Sequence, residues 1–348
     1  MNVQQRVMAL KGLSAFIHDY LSNSVNPLAS KFQKLDDIIH QAFLYNNWFS
    51  PENTKKSLKG ITHLLSNENL NELQKIIKEP SAPKTIAIIM AGNIPAVGFH
   101  DLASVLLCGH KVLIKLSSDD KIIIPFLVEV LIEIEPAFKN FIQYGESKLS
   151  NFDAVIATGS NNTANYFEYY FGKYPHIIRK NRNSVAILKG DETPEELKDF
   201  GNDVFDYFGL GCRNVSKVYV PKEYNFNTLF ENLISYADVL NNNKYVNNYE
   251  YNRTIYLMSQ DKFLDNNFLI IKNSTTSIAS PIGVLFYEEY DNELHLNKLL
   301  LAHKDAIQCV VSKKKIKDFS HISFGCSQCP GFFDYADGVD VVAFLNKL

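Results

Sequence analysis

Cys212 is the residue of this chain whose type and setting most clearly favour chemistry. It follows a Gly-Leu-Gly turn at residues 209–211 and precedes a short run of strand-forming residues at 217–220. A cysteine on a glycine-bordered turn can present its sulfur to a cleft, where the thiolate is a good nucleophile. Cysteine is also a common small buried residue, so Cys212 taken alone leaves both interpretations open.

The residues that could modify or complement this thiol are few. Arg213 would favour the thiolate by its positive charge, or it has a structural or solvated role. Cys326 and Cys329 form a single Cys-x-x-Cys pair. Without a second pair, and without histidines at ligand spacing, the sequence predicts no metal site. His321 is a distant candidate for a proton donor, with a structural role as the alternative.

Length and composition set the class of protein. A chain of 348 residues exceeds one ordinary core and predicts two domains. The net charge of -3 predicts no nucleic-acid partner. The five cysteines, an odd number, favour a reducing compartment. The N-terminus is polar and no apolar run approaches about 20 residues, so the sequence predicts a cytoplasmic protein without a signal peptide or a membrane span.

Alternating strands and helices must position the chemistry. The predicted elements are strands at 84–90, 111–116, 153–157 and 184–188, and helices at 99–108, 122–134 and 163–171. This alternation predicts right-handed βαβ units and a parallel sheet that is covered on both faces. Ligands of such sheets bind at the carboxyl ends of the strands, where Asn93, Lys115 and Ser160 fall.

The predicted domain boundaries follow from this pattern. Residues 1–189 would form a helical N-terminal segment and a nucleotide-binding domain, 190–325 a catalytic domain and 326–348 a C-terminal segment. Acidic residues at 191–196 are typical of a helix start, and this helix would lead to Cys212. The predicted fold class is α/β, with a Rossmann-type parallel-sheet cofactor domain and a second α/β domain.

Several turns occur together with Cys212 in an informative order. They are Ala-Gly-Asn-Ile-Pro at 91–95, a lysine at the end of the next strand and Thr-Gly-Ser at 158–160. Each is weak alone, but the ordered set resembles the aldehyde dehydrogenase superfamily over residues 84–220. The phrase Ala-Gly-Asn-Ile-Pro-Ala-Val-Gly is most similar to acyl-CoA reductases of the bacterial luciferase-system type, which make long-chain aldehydes from activated fatty acids.

The resemblance implies a role for each of these residues. Cys212 would attack the carbonyl of an acyl-CoA, and the Asn93 amide would donate to the oxyanion, although asparagine before Ile-Pro also suits an ordinary turn. Lys115 is similar to the lysine that bonds the adenosine ribose; the alternative is a solvated strand end. Gly159 and Ser160 would lie near the pyrophosphate at a helix N-terminus, or form an ordinary turn.

Two serines that follow Lys115 bear on the choice of nucleotide. In the superfamily, a glutamate often stands where this chain has Ser118, and there it discriminates against the 2′-phosphate. The neutral serine therefore favours NADPH over NAD as the cofactor. Ser117 is assigned to the same cofactor-binding loop.

Two departures from the superfamily pattern change the expected reaction. Arg179 stands where ordinary members have the glutamate that activates the hydrolytic water. A second expected acidic residue is missing, since residues 277–281 read Ser-Ile-Ala-Ser-Pro, and this leaves the contact to the nicotinamide ribose unassigned. Without an activated water, an acyl-enzyme would exchange with CoA and would not be hydrolysed.

The sequence therefore predicts an NADPH-dependent acyl-CoA reductase that forms a covalent acyl-enzyme on Cys212. The resemblance also implies a homo-oligomer. Two alternatives stay open: a reductase of another activated acyl group, such as an acyl-protein thioester or an acyl phosphate, and a catalytically silent acyl-binding scaffold for acyl-transfer partner proteins.

Overall fold

The computed structural model describes residues 1–145 and 149–348, which divide into two compact units. The first unit contains Met1–Lys180 and Pro330–Leu348, and the second contains Asn181–Cys329. The division therefore precedes the strand at 183–187, which the sequence pattern assigned to the first domain. This strand pairs with strands of the second sheet, and the C-terminal residues return to the first unit.

The first unit begins with helices. Their bounds are α1 Val3–Ser22, α2 Phe32–Tyr45, α3 Pro51–Leu64 and α4 Asn67–Ile76. Three of them begin at a residue whose side chain accepts a hydrogen bond from the first turn: Asn2 for α1, Ser50 for α3 and Ser66 for α4. Such caps satisfy backbone N–H groups that the helix itself leaves unpaired.

A parallel sheet forms the centre of the first unit. In the described residues its strands are β1 Thr85–Ile89, β2 Lys111–Lys115, β3 Ile142–Tyr144, β4 Ala154–Thr158 and β5 His176–Arg179. The helices between them are α5 Phe99–Leu107, α6 Ile123–Ile134 and α7 Asn161–Phe171. The predicted βαβ alternation is therefore present, and β3 and β5 are strands that the sequence pattern did not predict.

The two faces of this sheet are covered by different helices. On one face, Ile88 packs into a core with Leu13, Leu106 and Leu127 from α1, α5 and α6. On the other face, Ala87 packs with residues of β4 and, from α7, with Phe167. Because successive side chains of a strand point to opposite faces, the apolar run of β1 is buried from both sides, as predicted.

The strand order creates a switch point beside β1. The order is β3-β2-β1-β4-β5, and all the neighbouring strands run parallel. From β1 the chain proceeds to β2 and β3 on one side, and then returns to β4 on the other. Ligands of open α/β sheets bind outside the carboxyl ends of the strands at such a point. Here those ends carry the turns at residues 91–95 and 158–160.

The second unit contains a second sheet with its own helices. The helices are α8 Pro194–Phe205, α9 Phe226–Leu233, α10 Asn243–Met258 and α11 Glu293–Ala302. The strands are β6 Asn183–Ile187, β7 Val215–Pro221, β8 Leu264–Asp265, β9 Ile270–Asn273, β10 Val284–Tyr290, β11 Ile307–Val311 and β12 His321–Ile322. Their order is β12-β11-β6-β7-β10-β9-β8, with β8 antiparallel to β9 and the other described pairs parallel.

The chain ends in the first unit. The short helix α12, Val341–Leu345, packs against α5, and the carbonyl of Leu345 bonds the ring Nε2 of His110 at 3.2 Å. Across residues 1–145 and 149–348, no helix is both long and apolar enough to cross a membrane.

A buried ion pair joins two central strands of the second sheet. Lys217 of β7 donates from Nζ to Oε2 of Glu288 on β10 at 2.5 Å, and the two side chains are 0% and 10% exposed. The ammonium also lies 5.1 Å from the ring centre of Tyr219, two residues along the same strand face. Burial of either charge without the other would be costly, so each depends on its partner.

We expect the variant Lys217→Met to be less stable than the wild type by about 3 to 5 kcal/mol, because it leaves the Glu288 carboxylate buried without a counter-charge. Urea unfolding measures this loss. The double variant Lys217→Met, Glu288→Leu should recover most of it. The exposed pair Lys222–Asp291 is the matched control, and Lys222→Met should leave the unfolding midpoint unchanged. Equal effects of the two single variants would contradict this assignment.

Candidate active site

The turn after β1 lies directly against the loop after β2. Asn93 in this turn is exposed, and Gly92 before it is buried. A Cβ atom on Gly92 would lie 2.4 Å from Oγ of Ser117 and 2.6 Å from its Cβ. Only glycine permits this approach, which explains the Ala-Gly-Asn sequence. The structure therefore brings the predicted oxyanion turn and the predicted cofactor loop together at one edge of the first sheet.

Asp120 fastens the turn after β1 to the loop after β2. Its Oδ2 accepts a hydrogen bond from the backbone N of Ala96 at 2.7 Å. Ala96 has a φ of 54°, in the left-handed region that L-residues rarely adopt. The Asp120 side chain is 5% exposed, and within the described residues its Oδ1 has no hydrogen-bond partner. Sequence reasoning missed Asp120, since an acidic residue before a helix reads as an ordinary helix start.

The environment of Asp120 disfavours its charged form. Burial raises the pKa of this carboxyl to about 6, while hydrogen bonds from the backbone N–H groups of Ala96 and Ile123 act in the opposite direction. The dominant cause is therefore loss of water around the carboxylate.

The other predicted cofactor residues of this loop lie at the end of β2. Lys115 is the last residue of the strand and is half-buried, and its carbonyl accepts from the backbone N of Met90 at 3.0 Å. Ser117 Oγ accepts from the backbone N of Asp119 at 3.2 Å. Ser118 is exposed. These residues lie at the carboxyl edge of the sheet, where the sequence predicted them.

The turn after β4 places a helix N-terminus at the same edge. Ser160 is the N-cap of α7, and its Oγ accepts from the backbone N of Thr163 at 3.2 Å. A Cβ atom on Gly159 would lie 3.0 Å from side-chain atoms of Thr163 and of Phe167. The glycine lets β4 pass closely into α7. The N-terminus of α7 therefore flanks the switch point beside β1, and a helix N-terminus favours anions.

Arg179, at the end of β5, takes part in a buried ion pair. Its Nη1 donates to Oδ2 of Asp101 at 2.6 Å and its Nη2 donates to Oδ1 at 2.9 Å. Burial alone would raise the pKa of Asp101, but the charge of Arg179, with hydrogen bonds from His100 and Arg179, holds it below its usual range. The pair joins β5 to the first turn of α5. A guanidinium stays protonated and cannot accept a proton, so Arg179 cannot act as a general base.

Cys212 lies in the second unit, on the segment between α8 and β7, and is exposed. Three successive residues before it have left-handed backbone: Tyr207 with a φ of 52°, Phe208 with 57° and Gly209 with 80°. The two non-glycine residues cost about 1 to 2 kcal/mol each in this conformation. The carbonyl of Cys212 accepts from Oγ of Ser184 at 3.1 Å. The predicted setting of the cysteine, between a helix and a strand, is therefore present.

The other candidate residues of the second unit differ from the sequence expectations in part. Arg213 is 8% exposed, which rules out its solvated alternative. Cys326 and Cys329 are exposed and close a turn, in which the backbone N of Cys329 donates to the carbonyl of Cys326 at 3.1 Å. His321 donates from Nε2 to the carbonyl of Ser312 at 2.9 Å, a structural contact.

A buried carboxylate holds the segment that contains this cysteine pair. Asp203 accepts from the backbone N atoms of Gly325 at 2.7 Å and of Ser327 at 2.9 Å. Burial raises the pKa of Asp203 to about 6, against the effect of these hydrogen bonds. Over the described parts of the chain, no three His, Cys, Asp or Glu side chains lie close enough to hold a metal ion.

Comparison with solved structures identifies the fold. The chain is similar to aldehyde dehydrogenase 21 from Physcomitrella patens, solved with the reaction product succinate, at 12% identity and a TM-score of 0.68, covering 100% of this chain and 84% of that one. It is similar to the NAD+ complex of an aldehyde dehydrogenase from Bacillus cereus, at 12% identity and a TM-score of 0.61, covering 91% and 73%.

A third similar structure is an NAD-dependent benzaldehyde dehydrogenase from Corynebacterium glutamicum, at 10% identity and a TM-score of 0.65, covering 91% of this chain and 78% of that one. No protein-family model and no curated protein sequence matches the chain. The chain therefore has the aldehyde dehydrogenase fold, and the predicted fold class is confirmed.

The Asp120 carboxyl should make stability depend on pH. Its folded-state pKa of about 6 lies above the ordinary value of 3.8. The stabilisation from protonated Asp120 is therefore fully present below pH 3.8 and is lost as the pH rises through about 6. The variant Asp120→Asn keeps an acceptor for the Ala96 N–H and has no charge. As the pH rises from 3.8 to about 6, we expect Asp120→Asn to become more stable than the wild type, by up to about 3 kcal/mol.

Urea unfolding of both proteins at several pH values measures this difference. The gain should level off at pH values well above 6. A difference between the variant and the wild type that does not change with pH would contradict the buried-carboxylate assignment.

Proposed function

We propose that this chain is a nicotinamide-dependent oxidoreductase and, more specifically, an acyl-CoA reductase that releases an aldehyde from a covalent acyl-enzyme on Cys212. The observation that carries the proposal is the exposed Cys212 thiol on a strained turn, in a chain with the aldehyde dehydrogenase fold. Arg179, which stands where that superfamily has a water-activating glutamate, is engaged in a buried ion pair.

The carboxyl edge of the first sheet supports a nucleotide site. The Lys115 ammonium, the Ser117 and Ser118 hydroxyls and the α7 N-terminus at Ser160 are the groups that an anionic dinucleotide would contact. The neutral hydroxyl of Ser118, with no carboxylate on that residue, favours NADPH, whose 2′-phosphate would be repelled by a negative charge. When bound, NADPH supplies a hydride.

The residues of the chain would perform the remaining steps. The Cys212 thiolate attacks the thioester carbonyl carbon, a C–S bond forms, and CoA leaves as a thiolate that takes up a proton. The acyl group is then a thioester of Cys212. Addition of a hydride to its carbonyl carbon would give the alkoxide of a thiohemiacetal on Cys212, and collapse of this alkoxide breaks the C–S bond to release the aldehyde and the Cys212 thiolate. The role proposed for Asn93 is the side-chain donor to the oxyanion.

The buried ion pair explains why reduction, and not hydrolysis, is proposed. Hydrolysis of the acyl-enzyme needs a base that accepts a proton from water. Arg179 is protonated and its Nη1 and Nη2 donate to the Asp101 carboxylate. The acyl-enzyme therefore persists until it meets a hydride or a thiol.

We expect the wild-type protein to oxidise NADPH in the presence of acyl-CoA, and the variant Cys212→Ala to lose this activity by a factor of at least about 10⁴, because Cys212 is the nucleophile proposed for the covalent step. The decrease in absorbance of NADPH, measured with acyl-CoAs of graded chain length, gives the rate. Cys326→Ala is the matched control, since Cys326 is also an exposed cysteine of the second unit, and it should keep wild-type activity.

The same assay separates the alternatives. If the protein oxidises NADPH with an acyl phosphate or an acyl-protein thioester but not with acyl-CoA, that activated acyl group is its substrate and acyl-CoA is not. Activity that persists in Cys212→Ala, or no oxidation with any activated acyl group, would contradict the proposed function.

A further inference from the structure

We infer that Asn214 is a positioning residue for Cys212, and that its buried side-chain amide holds the turn that carries the nucleophile. The inference rests on the proposed function only for its catalytic readout. The reactivity of the Cys212 thiol tests it independently.

The Asn214 side chain bridges two pieces of backbone. It is 2% exposed, and its Oδ1 accepts from the backbone N of Gly211 at 2.8 Å. Its Nδ2 donates to the carbonyl of Asp206 at 2.9 Å and to that of Asp203 at 3.1 Å, with a longer contact of 3.5 Å to Val204. The amide therefore ties the residue before Cys212 to the end of α8.

These carbonyls need a partner. The last carbonyls of a helix receive no hydrogen bond from a backbone N–H of the same helix. A buried carbonyl without a hydrogen bond costs free energy. Asp203 and Val204 belong to the last turn of α8, and Asp206 follows it. The Asn214 Nδ2 group, which has two N–H donors, bonds the carbonyls of Asp203 and Asp206, and its Oδ1 accepts from Gly211, so the end of α8 and the Cys212 turn depend on one side chain.

The backbone groups that Asn214 bonds lie on either side of a strained segment. Tyr207, Phe208 and Gly209, the left-handed residues, follow the carbonyl of Asp206 and precede Gly211. Strained backbone persists only where surrounding contacts hold it. Asn214 contacts the chain before and after this segment, so loss of its amide would let the segment relax and would move Cys212.

Two further contacts restrict the turn. The carbonyl of Cys212 is held by Ser184 Oγ, so both the N–H that precedes the cysteine and its own carbonyl are bonded. A Cβ atom on Gly211 would lie 2.9 Å from Asn214 Oδ1, which explains glycine at this position. The amide at residue 214 is specific, because a carboxylate in its place would set a negative oxygen, where Nδ2 now donates, against the carbonyl oxygens of Asp203 and Asp206.

Asn252 provides a matched control in the same unit. It is 7% exposed, and its Nδ2 donates to the carbonyls of Asn248 at 2.8 Å and of Ile282 at 3.1 Å. It is a buried amide that caps backbone carbonyls, as Asn214 is, but these carbonyls lie outside the Cys212 turn. A general loss of a buried amide is therefore separable from a loss of positioning.

The experiment compares Asn214→Asp and Asn214→Ser with Asn252→Asp and Asn252→Ser in the full chain. We expect the Asn214 variants to lower kcat with acyl-CoA by about 100-fold, as displacement of a reacting group by about 1 Å does, with KM for NADPH unchanged. The serine variant, which keeps one donor, should retain the fold by circular dichroism and show the smaller loss. The Asn252 variants should keep the wild-type kcat.

The second readout is the pH profile of Cys212 alkylation by iodoacetamide, followed by mass spectrometry of its peptide. In the Asn214 variants this profile should move toward that of N-acetylcysteine, and in the Asn252 variants it should stay with the wild type. Folded Asn214 variants with the wild-type profile would overturn the inference, as would equal shifts in the Asn252 variants. A wild-type protein that reduces no acyl thioester would overturn the proposed function, and the alkylation comparison would still decide the inference.

Discussion

The hydrogen bonds of the buried Asn214 amide are the interaction on which the geometry of the candidate nucleophile depends. One side chain accepts from the N–H before Cys212 and donates to carbonyls at the end of α8. Between these two anchors the backbone passes through a left-handed segment that is unfavourable for Tyr207 and Phe208. An exposed thiol on a loop is ordinarily mobile. Here it is bordered by strained backbone and by satisfied buried groups, which restricts its position.

Each unit also contains a buried ion pair. In the second sheet, Lys217 on β7, the strand that follows Cys212, and Glu288 on β10 neutralise each other. In the first sheet, Arg179 and Asp101 join β5 to α5. The second pair also has a chemical consequence, because a protonated guanidinium cannot act as a general base. A buried pair of this kind is difficult to remove, since either member alone is a charge without water or partner.

Much of the architecture is visible in the sequence because it is encoded locally. The apolar runs at 84–90, 111–116 and 153–157 became β1, β2 and β4, and the helices between them formed as predicted. The strands β3 and β5 were missed because they are short and lie at the edges of the sheet, where burial is incomplete. The strand predicted at 184–188 pairs with strands of the second sheet, and the sequence did not show this because an apolar run does not identify its neighbours.

The candidate site was predictable only as far as its motifs reach. The sequence pattern predicted Cys212 on a turn between a helix and a strand, and glycine-containing turns at the carboxyl edge of the first sheet. That Cys212 is exposed comes from the structure. The roles of Asn93, Lys115, Ser117, Ser118, Gly159 and Ser160 stay predictions. The supporting residues Asn214 and Asp120 were not predictable, because in the sequence each resembles an ordinary turn residue. Their functions arise from hydrogen bonds to the backbone of other segments, which no sequence pattern identifies.

The most direct test of this account is the mass of the Cys212 peptide after incubation with palmitoyl-CoA and without nucleotide. We expect a stable added acyl group on that peptide, which disappears when NADPH is supplied and does not form in Cys212→Ala. An acyl group on another residue, or an acyl group on Cys212 that water removes as fast as NADPH does, would contradict it.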